Sequence, residues 1–105
     1  MAEACRNIIA FSDVPKRIYD VSAEKQSAII HQFLILGEAA ARLPDEFKDA
    51  HESVPWHQLT GMRNLLIHDY ISVDVDIVWQ TAVADIPGLL AKLEKLLAYY
   101  CAGQG

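Results

Sequence analysis

Apolar residues recur along most of this chain every three or four positions, which is the spacing of helices that bury one side and expose the other. No segment alternates between apolar and polar residues for long enough to predict a sheet. The predicted helical segments are a helix at residues 2–11, a short turn at 14–20, a long helix at 23–43, a short helix at 44–51, a central helix from 55 to about 70 and a final region at 74–97. We therefore expect an all-α bundle of about four to five helices.

Prolines and capping residues predict where these helices begin. Ser22 can cap the long helix, because its hydroxyl can accept a hydrogen bond from a free backbone N–H group of the first turn. Pro44 and Pro55 suit the starts of the next two helices, since the first turn needs no backbone donor. Pro87 removes a donor inside the final region, so it should kink or restart that helix, with Asp85 as a second cap.

The longest predicted helix carries apolar residues on more than one side, which predicts burial against two neighbours. Gly37 would let another helix approach closely. Glu38 has two possible roles, because a carboxylate is rarely buried without a partner. It could lie at the helix margin and bind water or Arg42, its neighbour one turn further on. Alternatively, it could orient Arg63 or His68 from a facing helix.

The length and composition fit one helical domain over residues 1–105, with a frayed tail at 102–105. The 105 residues, of which 52% are apolar, allow burial of about 65% of the unfolded surface. No uncharged stretch is long enough to cross a bilayer, and no basic start followed by an apolar block suggests a signal peptide. We expect a cytoplasmic protein that does not enter the membrane.

The cysteines and histidines show no metal-binding pattern. Cys5 and Cys101 do not form a Cys-x-x-Cys pair, and two helical cysteines in a reducing compartment are usually free, small core residues. His51 and His57 flank a loop without a third ligand at a suitable spacing, so we expect both at the surface. Neither a metal nor a cofactor is expected.

The formal net charge of −5 argues against sequence-independent coating of nucleic acid, which depends on cations that displace counterions from phosphates. Any RNA contact must therefore be local. The acidic residues concentrate from residue 45 onward, and the cations that could form a phosphate-facing rim around Arg63 are Arg6, Lys16, Arg17, Lys25 and Arg42. The alternative is that each of these cations only keeps the surface soluble.

The central helix carries the candidate chemistry. At about 100° per residue, Asn64 and His68 share one face and Arg63 lies at its margin. The opposite side collects Leu59, Met62, Leu65, Leu66 and Tyr70. Arg63 and His68 diverge by roughly 140°, so one copy alone does not close a site. Either the helix loosens near His68, or two copies face each other in a symmetric dimer so that the arginine and the histidine converge.

Arg63 and His68 together could cleave RNA without a metal. Histidine titrates near neutrality and can assist proton transfer at the ribose 2′-hydroxyl or the leaving oxygen. A planar guanidinium can stabilise negative charge that develops on the phosphate oxygens. Asn64 would hold a substrate oxygen or fix the imidazole. Such a pair also arises by chance on amphipathic helices, and these side chains would then serve only the structure.

The central stretch and its surroundings resemble the HepT-like toxins of the HEPN superfamily. The segments that carry the resemblance are, in order, ILGEAA at 35–40, VPW at 54–56, GMRNLLIHDY at 61–70, VW at 78–79 and DIP at 85–87. The resemblance covers residues from about 27 to 97. It is specific because the Arg-x-x-x-x-His-x-Tyr signature occurs inside this extended context.

This resemblance implies a helical homodimer in which the Arg-x-x-x-x-His motifs of two copies meet in a cleft at the two-fold axis. It also implies an RNase toxin of a type VII-like toxin–antitoxin module, with Arg63 and His68 as the catalytic pair. The candidate supporting residues around this pair are Glu38, Asn64 and Asp69.

The partner implied by the resemblance is a minimal nucleotidyltransferase antitoxin that silences the toxin by adding AMP groups to Tyr70. A nucleotide attached two residues after His68 would bring bulk and phosphate charge into the place where RNA must sit. The alternative role for Tyr70 is that of a core aromatic residue. The competing function for the whole chain is a non-catalytic helical module that binds a nucleotidyltransferase or a nucleotide through the same cleft.

Overall fold

The computed structural model describes residues 1–69 and 72–104, with side chains described as far as Tyr100 in the last helix. These residues form helices and no strand, so the predicted all-α class is confirmed. The helices are α1 (Ala2–Phe11), α2 (Lys16–Asp20), α3 (Ala23–Arg42), α4 (Asp45–Ala50), α5 (Trp56–His68), α6 (Val75–Ala84) and α7 (Ile86–Gln104). None of these described helices combines the length and the apolar character needed to span a membrane.

The predicted count of four to five helices was wrong, because the described residues form seven. α2 contains only 5 residues, yet it is a helix of its own where a short turn was predicted, whereas α4, with 6 residues, is the short helix predicted at 44–51. The final predicted region holds two helices, which end and begin on either side of Asp85. Pro87 lies in the first turn of α7, where no backbone donor is needed, so the predicted restart is confirmed. α7 continues to Gln104 and includes residues 102–104 of the predicted tail.

Side-chain caps fix the starts of α3 and α6. The hydroxyl oxygen of Ser22 accepts a hydrogen bond from the backbone N of Lys25 at 3.2 Å, as predicted. Asp74 Oδ1 accepts a hydrogen bond from the backbone N of Asp76 at 2.9 Å. A cap of this kind stabilises a helix by about 1 kcal/mol. The two helices therefore begin where a local side chain satisfies their first backbone donors.

α3 is the central helix of the bundle and packs against both α1 and α5. Its residues Ile29, Phe33, Leu36 and Ala40 are buried. Full burial of one large apolar side chain contributes about 1.5–3 kcal/mol. The prediction that this helix is buried against two neighbours is confirmed, and α3 is therefore the element on which α5 rests.

Gly37 lies where α3 and α5 come close together. A methyl group at this position would lie 2.7 Å from the carbonyl oxygen of Leu59 and would overlap Cβ of Arg63. A larger residue would therefore push the two helices apart, because packed cores have little free volume. The predicted role of Gly37 is confirmed, and it sets the base of the Arg63 side chain directly against α3.

Two titratable side chains belong to the core. Cys5 is a free and fully buried thiol, as predicted, and burial raises its pKa to about 11. Tyr19 is also fully buried, and its hydroxyl donates a hydrogen bond to the carbonyl oxygen of Val75 at 2.6 Å. Burial raises the pKa of Tyr19 to about 12. Both groups therefore stay protonated at neutral pH. The side chain of Cys101 lies outside the described residues.

Candidate active site on the fifth helix

α5 presents the candidate residues on a helix that is well anchored. Trp56 and Leu66 are buried, and Trp56 Nε1 donates a hydrogen bond to the carbonyl oxygen of His51 at 3.0 Å. These contacts hold one side of α5 against the core. The other side, which carries Asn64 and His68, is exposed. The helix therefore displays a polar face on a fixed base.

The guanidinium group of Arg63 is held by two neighbours. Nη1 donates a hydrogen bond to Glu38 Oε2 at 2.9 Å. Nε and Nη2 both donate to Asn64 Oδ1, at 3.0 and 2.7 Å. The Arg63 side chain is only 21% exposed. A guanidinium has five N–H donors, so these three hydrogen bonds leave two donors for a ligand, already oriented before it arrives.

Glu38 contacts two arginines, so one contact from each of the two alternatives considered from the sequence is present. Oε2 accepts the hydrogen bond from Arg63, and Oε1 lies 3.6 Å from Nε of Arg42. The contact with Arg63 is shorter, and that guanidinium is far less exposed than the one of Arg42, at 21% against 78%. The Arg63 contact is therefore the stronger of the two. No hydrogen bond joins Glu38 to His68 in the described part of the chain.

His68 is the last residue of α5, and its side chain is exposed. Its ring forms no hydrogen bond or ion pair with any residue that the structure describes. The backbone N of Asp69 donates to the carbonyl oxygen of Leu65 at 3.0 Å, so the helix does not loosen before its end. On such a helix, the side chains of Arg63 and His68 leave the axis about 140° apart. One copy of the chain does not bring them together.

The remaining predicted site residues lie in different surroundings. Asn64 contacts Arg63 and not the imidazole, because the long arginine side chain bends toward its neighbour in sequence. Asp69 follows the last turn of α5 as an exposed residue, and its carboxylate forms no ion pair within residues 1–69 and 72–100. Tyr70, the residue predicted to be modified, lies outside the described residues.

The predicted rim of cations around Arg63 is only partly present. Arg42 belongs to it, because Glu38 joins Arg42 to Arg63. Lys16 instead pairs with acidic side chains of α2 and α6. Lys25 lies near the start of α3, about 20 Å along the helix axis from Glu38. The sequence alone could not separate these cations, because their distances depend on how the helices pack.

The histidines away from α5 differ from each other. His57 is exposed, as predicted. His51 is half-buried, forms a 2.6 Å hydrogen bond with the hydroxyl of Tyr100 and packs against the ring of Phe47. His51 therefore lies at the surface only in part, and its ring is held there by Tyr100 and Phe47. Among the described residues, no three His, Cys, Asp or Glu side chains converge as a metal site would require.

These features define a helical protein that presents an arginine, an asparagine and a histidine from a single helix. The family model described as "Ribonuclease HepT-like" matches residues 1–96. The chain therefore belongs to the HepT-like ribonuclease family, and the resemblance drawn from its sequence is confirmed.

Similar proteins come from several prokaryotes. A Thermococcus cleftensis protein named "Probable ribonuclease HepT" is 45% identical over 71 residues, which cover 68% of this chain and 64% of that protein. A Caldanaerobacter subterraneus protein named "Putative RNase TTE0752" is 40% identical over 70 residues, or 67% of this chain and 62% of that protein. A Methanocaldococcus jannaschii protein named "Putative RNase MJ1380" is 28% identical over 93 residues, which cover 88% of this chain and 85% of that protein.

The chain thus spans less than two thirds of the length of the first two relatives. No solved structure matches it.

Proposed function

We propose that this chain is an endoribonuclease that acts as the toxin of a type VII-like toxin–antitoxin module and cleaves RNA without a metal ion. Its family and the ribonuclease names of its relatives support this proposal. The observation that carries it is that one helix, α5, presents both a pre-oriented guanidinium, Arg63, and an exposed imidazole, His68.

The proposed reaction needs one group that moves protons and one that stabilises charge. His68 takes the proton from the ribose 2′-hydroxyl as that oxygen attacks the phosphorus, or gives a proton to the leaving 5′ oxygen. The two remaining N–H donors of Arg63 bind the non-bridging oxygens, whose negative charge grows in the transition state. Glu38 and Asn64 hold the guanidinium in this orientation, so it needs no rearrangement when RNA binds.

We propose further that a second copy of the chain completes the site. Because Arg63 and His68 leave a regular helix about 140° apart, a two-fold axis beside α5 would place Arg63 of one copy opposite His68 of the other. Leu65 and Ile67 flank His68 and are 53% and 56% exposed. The sequence assigned Leu65 to the apolar, core-facing side, so its exposure is unexpected for a single copy. Exposed apolar side chains beside a polar site support an interface at this surface.

Silencing by a nucleotidyltransferase antitoxin is part of the same proposal. Tyr70 follows His68 by two residues, and α5 ends in exposed residues just before it. An AMP group added there would place a phosphate and a base beside the imidazole and would exclude the RNA phosphate. Incubation with a cognate minimal nucleotidyltransferase and with ATP should raise its intact mass by whole AMP units. Tyr70→Phe should abolish that rise, and an equal rise in both proteins would place the modification elsewhere.

The ribonuclease proposal is tested by expression in cells that lack the antitoxin. Wild type should arrest growth, whereas His68→Ala and Arg63→Ala should permit it, because each removes one member of the catalytic pair. Equal growth with all three, at equal protein levels, would contradict the ribonuclease. It would favour a module that binds a nucleotidyltransferase or a nucleotide without cutting RNA.

A further inference from the structure

A groove of about 770 Å³ lies between the end of α4 and the C-terminal half of α7. It takes no part in the site on α5. The side chains that give this groove its chemistry are His51, Lys92, Lys95, Leu96, Tyr99 and Tyr100. The groove therefore combines cations with aromatic rings, and none of the described residues that line it is acidic.

The aromatic part of the groove is held in place. The hydroxyl of Tyr100 and Nε2 of His51 form a 2.6 Å hydrogen bond, and Phe47 stacks on the Tyr100 ring at 5.8 Å between centroids. Tyr99 packs edge-on against Tyr100, with centroids 5.4 Å apart. Tyr99 nevertheless remains 69% exposed. One ring is thus fixed as a wall, and the other offers its surface to a ligand.

The cationic part lies along one line of α7. Lys92, Lys95 and Tyr99 are three and four residues apart, so they project from the same face of the helix. Both lysines are exposed, and neither forms an ion pair within residues 1–69 and 72–100. In a chain with a net charge of −5, two lysines without acidic partners in one groove form a local positive surface.

We propose that this groove binds single-stranded RNA as an accessory subsite for the substrate of the proposed ribonuclease, on which this inference rests. Lys92 and Lys95 bind successive phosphates, and an unpaired base stacks on Tyr99. An acidic peptide would also satisfy the lysines, but its Asp and Glu side chains carry no aromatic ring that could stack on the exposed tyrosine. The combination of a cationic groove with an aromatic platform therefore favours a nucleic acid.

The position of the groove suits one RNA strand that reaches both sites. Its wall residue His51 is joined to Trp56 at the start of α5 by a 3.0 Å hydrogen bond, and His68 ends the same helix. The two ends of α5 lie about 18 Å apart along its axis. A strand of several nucleotides is long enough to bridge a distance of this order between the groove and the proposed catalytic residues.

The test measures binding of a fluorescein-labelled 2′-O-methyl oligouridylate of about 12 nucleotides, a length within the range of single-strand sites. This probe resists cleavage because its attacking hydroxyl is blocked. The double variant Lys92→Ala/Lys95→Ala should weaken binding at least about tenfold and reduce the slope of log K against log salt by about 1.4. Tyr99→Ala should weaken binding about fivefold or more, whereas Tyr99→Phe should bind as wild type does.

The matched control is Lys16→Ala/Lys25→Ala, which removes the same charge from α2 and from the first turn of α3. We expect this control to weaken binding less than about twofold. Equal weakening by both double variants, or none by the groove variant, would overturn the proposal. Competition by an oligoglutamate peptide as effective as that by unlabelled probe would also overturn it, in favour of an acidic protein partner. Each variant should unfold at the same Tm as wild type, which would confirm that it is folded.

Cleavage assays separate this inference from the function on which it rests. Suppose that wild type cleaves RNA and that the Lys92→Ala/Lys95→Ala variant binds the probe and cleaves RNA as wild type does. This result would refute the proposed groove and leave the ribonuclease intact. Wild type that cleaves no RNA would refute the ribonuclease, even where the groove variant loses the probe. We expect the Lys92→Ala/Lys95→Ala variant to lose much of its cleavage rate on long RNA. It should lose little on a dinucleotide, which is too short to reach the groove.

Discussion

Arg63 and His68 lie on the same helix, but the structure holds them in opposite ways. Arg63 is 21% exposed and donates hydrogen bonds to Glu38 and Asn64. His68 is exposed at the end of α5 and forms no hydrogen bond with another described residue. A group that stabilises charge gains from being fixed, whereas a group that moves protons needs a ring nitrogen that is open to the substrate.

The difference also shows what each residue requires from the fold. The position of Arg63 depends on α3, through Gly37 beneath its Cβ and Glu38 at its guanidinium. The side chain of His68 forms no hydrogen bond with α3 or with any other described element. Changes in α3 should therefore impair Arg63 and leave His68 in place, which gives the comparison several experimental tests.

The largest effect is expected from removing His68, the exposed member of the proposed catalytic pair. His68→Ala should lower the rate of RNA cleavage by about 10²–10⁴-fold, because it removes the group that transfers protons. The measurement is the initial rate on a fluorescently quenched RNA. His57→Ala removes another exposed histidine from the same helix and should leave the rate unchanged. Equal losses in both variants would show that His68 has no special role.

The second largest effect is expected from disturbing the close contact between α3 and α5 at Gly37, beneath Arg63. Gly37→Ala should lower the free energy of unfolding by about 1–3 kcal/mol, because its methyl group overlaps Arg63 Cβ and Leu59 O. Gly61→Ala is the matched control. A Cβ there meets nothing within 4 Å, and alanine should stabilise the helix by about 0.5–1 kcal/mol. Denaturant unfolding at one protein concentration measures both, and equal stability of the two variants would disprove the tight contact.

A smaller effect is expected when Arg63 loses only the charge of its partner Glu38. Glu38→Gln keeps an acceptor for Arg63 but removes the carboxylate, and should reduce kcat about tenfold with little change in Tm. Glu24→Gln makes the same chemical change at the exposed start of α3 and should have no effect on kcat. A loss of stability without a change in kcat would mean that Glu38 supports the fold and not the position of Arg63.

The smallest effect is expected from removing Arg42, the more exposed of the two arginines that contact Glu38. Arg42 lies 3.6 Å from Glu38 and is 78% exposed, so solvent weakens the pair. Arg42→Ala should therefore change the free energy of unfolding by less than about 1 kcal/mol and the cleavage rate by less than about threefold. A loss as large as that of Glu38→Gln would show that the two arginines act together.

Local features of the fold could be predicted from the sequence. Helix boundaries at Ser22, Pro44, Pro55 and Pro87 follow from capping and from the missing donor of proline, which act within a few residues. The close approach at Gly37 was also predictable, because a glycine in a long buried helix has few other uses. The helix count was predicted too low, because residues 14–20 were expected to form only a short turn and residues 74–97 a single region. Whether such segments form separate helices depends on tertiary contacts that a local pattern does not contain.

The contacts within the candidate site were less predictable, because they depend on which helices face each other. Glu38 and Arg63 are 25 residues apart, and only the packing of α3 on α5 brings them to 2.9 Å. The contact of Asn64 with Arg63 arises from the bend of one long side chain, which a helical projection does not show. The groove on α7 could have been noticed from the spacing of Lys92, Lys95 and Tyr99, but its wall comes from α4 and the loop after it.

The most direct test of the two-copy site mixes two inactive variants. Arg63→Ala retains His68, and His68→Ala retains Arg63, so a mixed dimer holds one complete site if the two residues come from different copies. After exchange of equal amounts, we expect recovery of about a quarter of the wild-type activity. If the activity of the mixture stays at the level of the separate variants, arginine and histidine do not meet across two copies, and the proposed site is wrong.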